Sequence, residues 1–141
     1  MSSSFHNTFI MASVYHRLAN HRLYTRLGLS DGQPKVLERL LRYEGVSQKD
    51  LAEKCNVRPA TMTALLRKML DDGLVFRKSL HAENGKRVFG IFLTEVGRDL
   101  ANRLESAMDE ISEQSLRGFT QEEMDAFYSY LARMSENLRN A

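Results

Sequence analysis

Seven cations are strung along residues 58–87: Arg58, Arg67, Lys68, Arg77, Lys78, Lys86 and Arg87. Three acids share that stretch, Asp71, Asp72 and Glu83. Guanidinium and ammonium groups at this density suit one kind of chemistry, holding the oxygens of a polyanion. The charge is local. Residues 35–90 carry 12 Lys/Arg and 7 Asp/Glu, net +5, while residues 91–141 carry 5 and 10, net −5. Residues 1–34 carry 3 and 1, net +2, which brings the whole chain to +2. A basic middle followed by an acidic tail places an electrostatic footprint on one part of a folded unit.

Other chemistry is poorly served. The chain has no glycine-rich phosphate loop, no nucleophile elbow, no paired carboxylates at a strand end and no metal motif, so it reads as no enzyme. Its single cysteine, Cys55, excludes an internal disulfide framework and a multi-cysteine zinc site. Cys55 falls on the apolar face of a short helix and reads as core, not as a redox sensor. His6, His16 and His21, spaced by ten and five, do not share one helical face, so neither metal nor cofactor is expected. Met62, Met69, Met108, Met124 and Met134 fall largely on apolar stripes and read as core. With 141 residues, 43% hydrophobic and 27% charged, the composition is that of one ordinary globular domain. No apolar run approaches the roughly 18 residues of a membrane span. His6, His16, Arg17 and His21 break the first segment, unlike a secretion signal. The cytoplasm is the expected compartment, with no membrane contact.

The elements that must position the cations are mostly helical. Phe5 to Leu27 forms a first helix stopped by Gly28, with Phe5, Phe9, Ala12, Ala19, Leu23 and Leu27 on one side and Ile10, Met11, Val14 and Leu18 nearly opposite. A helix apolar on two sides needs cover on both, more than one chain of this length easily supplies. Asp31 is placed to cap the next helix, which buries Val36, Leu37, Leu40 and Leu41 and stops at Gly45. Ser47 with Asp50 resembles a capping box opening a helix from Gln48 to Cys55. Asn56 and Val57 make a tight turn, and Pro59 suits the first position of another helix, striped by Met62, Leu65, Leu66, Met69 and Leu70. The period then switches to two over Leu74–Leu80 and Val88–Leu93, around an Asn84-Gly85 hairpin signal. Thr94 caps a long helix with the stripe Val96, Leu100, Leu104, Ala107, Met108 and Ile111. Thr120 and Glu123 form a capping box for the last helix, which is expected to bury Met124, Phe127, Tyr128, Leu131 and Leu138.

A short helix, a three-residue turn, a second helix and a β-hairpin make a winged helix-turn-helix, in which the second helix enters the major groove of DNA. Opposite the apolar stripe of the Pro59 helix lie Ala60, Thr61, Thr63, Ala64, Arg67 and Lys68, with Arg58 just before it. Small and hydroxylated residues permit close approach, threonine offers a hydroxyl and a methyl, and arginine binds guanine bidentately. The hairpin adds Arg77, Lys78, Lys86 and Arg87, suited to a minor groove or its phosphates. An RNA binder would expose stacking aromatics on this side, and none is expected there. A winged helix serving as a protein-interaction module, without sequence-specific DNA binding, is the alternative, and the concentration of cations argues against it.

The segments Gln48-Lys49-Asp50-Leu51-Ala52-Glu53, Arg58-Pro59-Ala60-Thr61-Met62-Thr63, Asp72-Gly73-Leu74-Val75-Phe76-Arg77 and Leu93-Thr94-Glu95-Val96-Gly97 together resemble the MarR family of bacterial transcriptional regulators. The likeness runs over nearly the whole chain and is densest from Gly28 to Leu100. It implies a mainly α fold: an N-terminal dimerisation helix at 1–30, a winged helix-turn-helix lobe at 31–94 and C-terminal dimerisation helices at 95–141, all one structural domain. It further implies a homodimeric repressor that reads a palindromic operator in double-stranded DNA and responds to a small aromatic or phenolic effector. The DNA-binding set so implied is Ser47, Gln48, Arg58, Ala60, Thr61, Thr63, Arg67, Lys68, Arg77, Lys86 and Arg87. Tyr15, His16 and Arg17 are candidate walls of an effector site. Two departures concern DNA. Asn84-Gly85-Lys86-Arg87 replaces the family's Asp-x-Arg-Arg-like wing, and Arg67 and Ala64 stand where the family often has an acidic and a basic or bulky polar residue, so an operator sequence is not carried over.

Overall fold

A computed structural model describes residues 2–141, with side chains from Ser4 onward. Among the described residues the order is α1 (Ser2–Arg26), α2 (Gln33–Arg42), α3 (Gln48–Cys55), α4 (Pro59–Asp71), β1 (Val75–His81), β2 (Arg87–Leu93), α5 (Glu95–Ser115) and α6 (Gln121–Arg139). They form two compact units, one ending at Met108 and the other Asp109–Ala141.

The first unit holds the core. Val36, Leu37 and Leu40 of α2, Leu51, Ala52 and Cys55 of α3, and Met62, Leu66 and Met69 of α4 are buried together with Val75, Ile91 and Leu93 of the hairpin. Each helical set recurs at three- and four-residue spacing, which is why the amphipathic pattern was readable. The cap of α2 is not Asp31. Its N-cap is Gly32, at φ 92°, with Pro34 in the first turn and no side-chain cap. Gln33 instead turns its buried side chain back to accept the Ser30 N–H at 3.0 Å. A left-handed residue at the helix entrance suits glycine, and the carboxylate of Asp31 is left for His21, 3.6 Å away. Ser47 caps α3 as expected, accepting the Asp50 N–H at 3.1 Å, and Asn56 ends it in the left-handed conformation. Cys55 is buried, its thiol directed at the Lys35 carbonyl at 3.9 Å. Burial pushes that thiol's pKa up, while Arg39 and Lys35 oppose the shift, so it is a poor nucleophile.

The strands pair antiparallel from Val75↔Leu93 to His81↔Arg87. The loop departs from the expected Asn-Gly turn by one residue. Gly85 N–H donates to Ala82 O, which puts Glu83 and Asn84 at its centre, and Gly85 follows at φ 77°. Asn84 does not take a positive φ, as a two-residue Asn-Gly turn would require. At the hairpin's root, Gly45 N–H donates to Ile91 O and Ile91 N–H to Val46 O. Glu44 accepts the Leu93 N–H on one carboxylate oxygen and pairs with Arg98 through the other.

Thr94 caps α5, accepting the Gly97 N–H at 3.0 Å while its hydroxyl donates to Gly73 O. The stripe of α5 is rotated from the expected one. Gly97, Ala101, Leu104 and Ala107 are buried, whereas Val96 is 63% exposed. Small residues let the helix approach closely, and that approach outweighs the burial of one valine.

In the second unit, Thr120 and Glu123 complete both halves of the capping box. The expected burial on α6 does not occur within one chain: no α6 residue is buried, and Phe127, Tyr128 and Leu138 are exposed. The apolar side chains of α1 behave alike, with Phe5, Phe9, Ile10, Met11 and Leu18 exposed and Leu23 buried.

Candidate nucleic-acid interface

Three residues, Asn56–Arg58, separate α3 from α4. The left-handed Asn56 reverses the chain, and Pro59 starts α4 with its φ already helical. With Met62, Leu66 and Met69 in the core, the opposite face is fixed: Ala60, Thr61, Thr63, Ala64, Arg67 and Lys68 are all exposed, as is Arg58 before them. No acid stands among them. The leading N–H groups of α4, to which Pro59 contributes none, and its dipole add a positive end beside Arg58.

Polar bonds tie three elements together here. Arg77 Nη2 donates to Gln48 Oε1 at 3.1 Å, Gln48 Nε2 donates to Thr63 Oγ1 at 2.8 Å, and the Thr63 hydroxyl donates to Pro59 O at 3.0 Å. The structure therefore gathers Gln48, Thr63 and Arg77 into one chain of bonds that the sequence does not announce. Lys68 Nζ points to Ser30 Oγ at 3.4 Å, and the Ser47 hydroxyl is engaged in capping.

On the hairpin, residues in register share a face. Arg77 with Ile91, Ser79 with Phe89, and His81 with Arg87 project from one side, Lys78 and Gly90 from the other. Arg77 and Arg87 thus lie on a common face, four register steps or about 13 Å apart at strand rise. Lys86 sits in the loop, its N–H held by Asn84 Oδ1 at 3.0 Å. Phe89 is 57% exposed on the Arg87 face, against the expectation that this side exposes no aromatic.

A cleft of about 520 Å3 is lined by His16, Arg17, Leu18, Asn20, His21, Tyr24, Asp31 and Gly32. His16 and Arg17 are on its wall, and Tyr15 is not. Burial raises the Tyr24 pKa, helped by the carboxylates of Glu38 and Asp31, so the phenol is a neutral hydroxyl there. Among the described residues no three His, Cys, Asp or Glu side chains converge as metal ligands would, and no helix is long and apolar enough to cross a membrane.

This architecture has relatives. Residues 29–88 match the MarR family. The HTH-type transcriptional regulator YybA of Bacillus subtilis (strain 168), itself uncharacterized, is 30% identical over 112 residues, which are 79% of this chain and 73% of YybA. The chain belongs to the MarR family. The family is one of transcriptional regulators, not of enzymes. The HTH-type transcriptional repressor YetL of the same organism is 34% identical over 114 residues, 79% of this chain and 66% of YetL. The crystal structure of a MarR-family protein of Mycobacterium tuberculosis in complex with DNA is 25% identical, with a TM-score of 0.72 over 91% of this chain and 94% of that one. The MarR match at 29–88 spans α2, α3, α4 and β1 and reaches into β2, which are the elements that carry the cationic surface.

Proposed function

We propose that this MarR-family regulator is a homodimeric repressor that binds a palindromic operator in double-stranded DNA. One observation carries the reading. The exposed face of α4 is small, hydroxylated and cationic without an acid, on a helix whose other face is locked into the core. α4 enters the major groove, with Arg58, Ala60, Thr61, Thr63, Arg67 and Lys68 toward the duplex and Ser47 and Gln48 at its edge. Arg77, Lys86 and Arg87 follow the flanking backbone and minor groove. The relative bound to DNA and the repressor YetL support the same assignment.

The test is Arg67→Ala on operator selected from random duplexes. A base-edge contact is worth roughly 1–3 kcal/mol of discrimination, so the variant loses affinity for operator and little for random DNA. Equal losses would move Arg67 to phosphate. Wild type without duplex affinity would leave the protein-interaction reading.

Residues 1–30 and 95–141 serve dimerisation in this reading, and 31–94 form the DNA-binding lobe. The support is the apolar surface that one chain leaves open on α1 and, separately, on α6. A two-fold dimer sets its recognition helices one duplex turn, about 34–36 Å, apart. Light scattering at micromolar concentration is expected to give twice the 16.2 kDa chain mass. A monomer there would refute the arrangement. The cleft beside α1, with His16 and Arg17 on its wall, is assigned to a small aromatic or phenolic effector that modulates DNA affinity.

A further inference from the structure

We propose that Gln48 is a positioning residue: its amide does not read DNA but fixes what Thr63 and Arg77 offer to it. The inference rests on the DNA-binding reading above. Gln48 is the first residue of α3 and half-buried. Its two polar ends meet two different elements, Arg77 of β1 at 3.1 Å and Thr63 of α4 at 2.8 Å. The orientation of the amide follows from its partners. A flip would set NH2 against a guanidinium, donor against donor.

Two consequences follow for the DNA-facing groups. Thr63 has one hydroxyl proton, and Pro59 O takes it at 3.0 Å. Because Gln48 donates to the same oxygen, Thr63 keeps one lone pair and its methyl for the groove. Held so, it can accept from the amino group of adenine or cytosine, or cover a thymine methyl. It cannot donate to a phosphate or to guanine O6. Arg77 spends one N–H on Gln48 and keeps four, and that bond favours one arrangement of its side chain. An ordered arginine loses less freedom when it meets a phosphate. Gln48 itself retains one N–H and one lone pair, and its partners determine where they point. Recognition helix and hairpin thereby approach the duplex as one braced surface.

The experiment is a salt titration of binding to a selected operator for the wild type, Gln48→Ala, Arg77→Ala and the double variant, with melting curves for each. Gln48→Ala is expected to weaken binding about threefold to tenfold, the range of one net hydrogen bond, with unchanged melting. On the Arg77→Ala background it is expected to cost less than on the wild type, because Gln48 acts through Arg77. Gln48→Glu keeps the acceptor for Arg77 and removes the donor to Thr63. Its carboxylate also pairs with Arg77 and competes with phosphate, so it is expected to lower the salt slope as well as shift base preference at one position per half-site. Additive losses in the double variant would mean that Gln48 does not act through Arg77, and the proposal would fall. So it would if Gln48→Ala bound like wild type while Arg77→Ala did not. In both cases Arg67→Ala still reports on the DNA-binding reading, and absence of any duplex affinity in the wild type overturns both together.

Discussion

Gly97→Ala is expected to lower the melting temperature by about 5–10 °C. A Cβ on Gly97 would stand 1.9 Å from the carbonyl oxygen of Leu74 and 2.8 Å from its carbon. Both are main-chain atoms, so no rotamer change relieves the clash. The oxygen also accepts the Thr94 N–H at 3.0 Å, at the entrance to α5. Alanine is intrinsically the better helix residue by about 1 kcal/mol. Overpacking typically costs about 1–3 kcal/mol, and against fixed main chain at 1.9 Å it costs about 2.5–4 kcal/mol. The clash wins, leaving a net loss of about 1.5–3 kcal/mol, which at roughly 3–4 °C per kcal/mol gives the stated shift. Thermal unfolding by circular dichroism checks it. A melting temperature equal to wild type would mean that α5 yields freely at its first turn and that its rotated stripe is not set by this contact.

Arg87→Ala is expected to act on binding and not on folding. The residue is exposed at the end of β2, on the face of the hairpin shared with Arg77, and it has no side-chain partner among the described residues. A cation so placed neutralises phosphate, and each such contact contributes about 0.9 to the slope of log K against log salt. The minor groove distinguishes little beyond A·T from G·C, so the loss should be alike on operator and random DNA. The expected result is weaker binding to all duplexes with a slope reduced by about 1. An unchanged slope and affinity would show that the wing stands clear of DNA, with Asn84-Gly85-Lys86-Arg87 presenting its cations differently from the Asp-x-Arg-Arg-like wing of the family.

The helix-turn-helix and its exposed face were legible because they rest on periodicity and on single-residue signals. Ser47, Asn56, Pro59 and Thr120 each act within a turn of their own position, and the structure uses all four at the helix ends where the sequence puts them. What escaped depends on partners distant in sequence. Asp31 is the local exception: it is a good capping residue, yet the N-cap position falls on Gly32, which has no side chain to cap with. Val96 looked like the start of a stripe until Leu74, 22 positions earlier, drew Gly97 inward. The apolar residues of α6 have the right spacing but no cover within one chain. For the set proposed to face DNA, residue types could be chosen from charge and helical phase. The bonds joining Gln48 to Thr63 and Arg77 span 15 and 29 residues, and no local pattern encodes them.

The two main-chain bonds between Gly45–Val46 and Ile91 have a consequence for motion. They fasten the root of the hairpin to the segment that leads from α2 to α3, and Ile91 itself is 1% exposed. Opening the root therefore breaks core contacts, and amide hydrogens at Gly45 and Ile91 should exchange with solvent on the timescale of global unfolding. Toward the tip, the Ala82 N–H to Lys86 O bond is flanked by exposed residues and opens without disturbing the core. The wing is a cantilever, stiff where Arg77 is mounted and compliant where Arg87 is. On the proposed reading, a protein sliding along DNA keeps α4 in register while Arg87 swings across grooves of differing width.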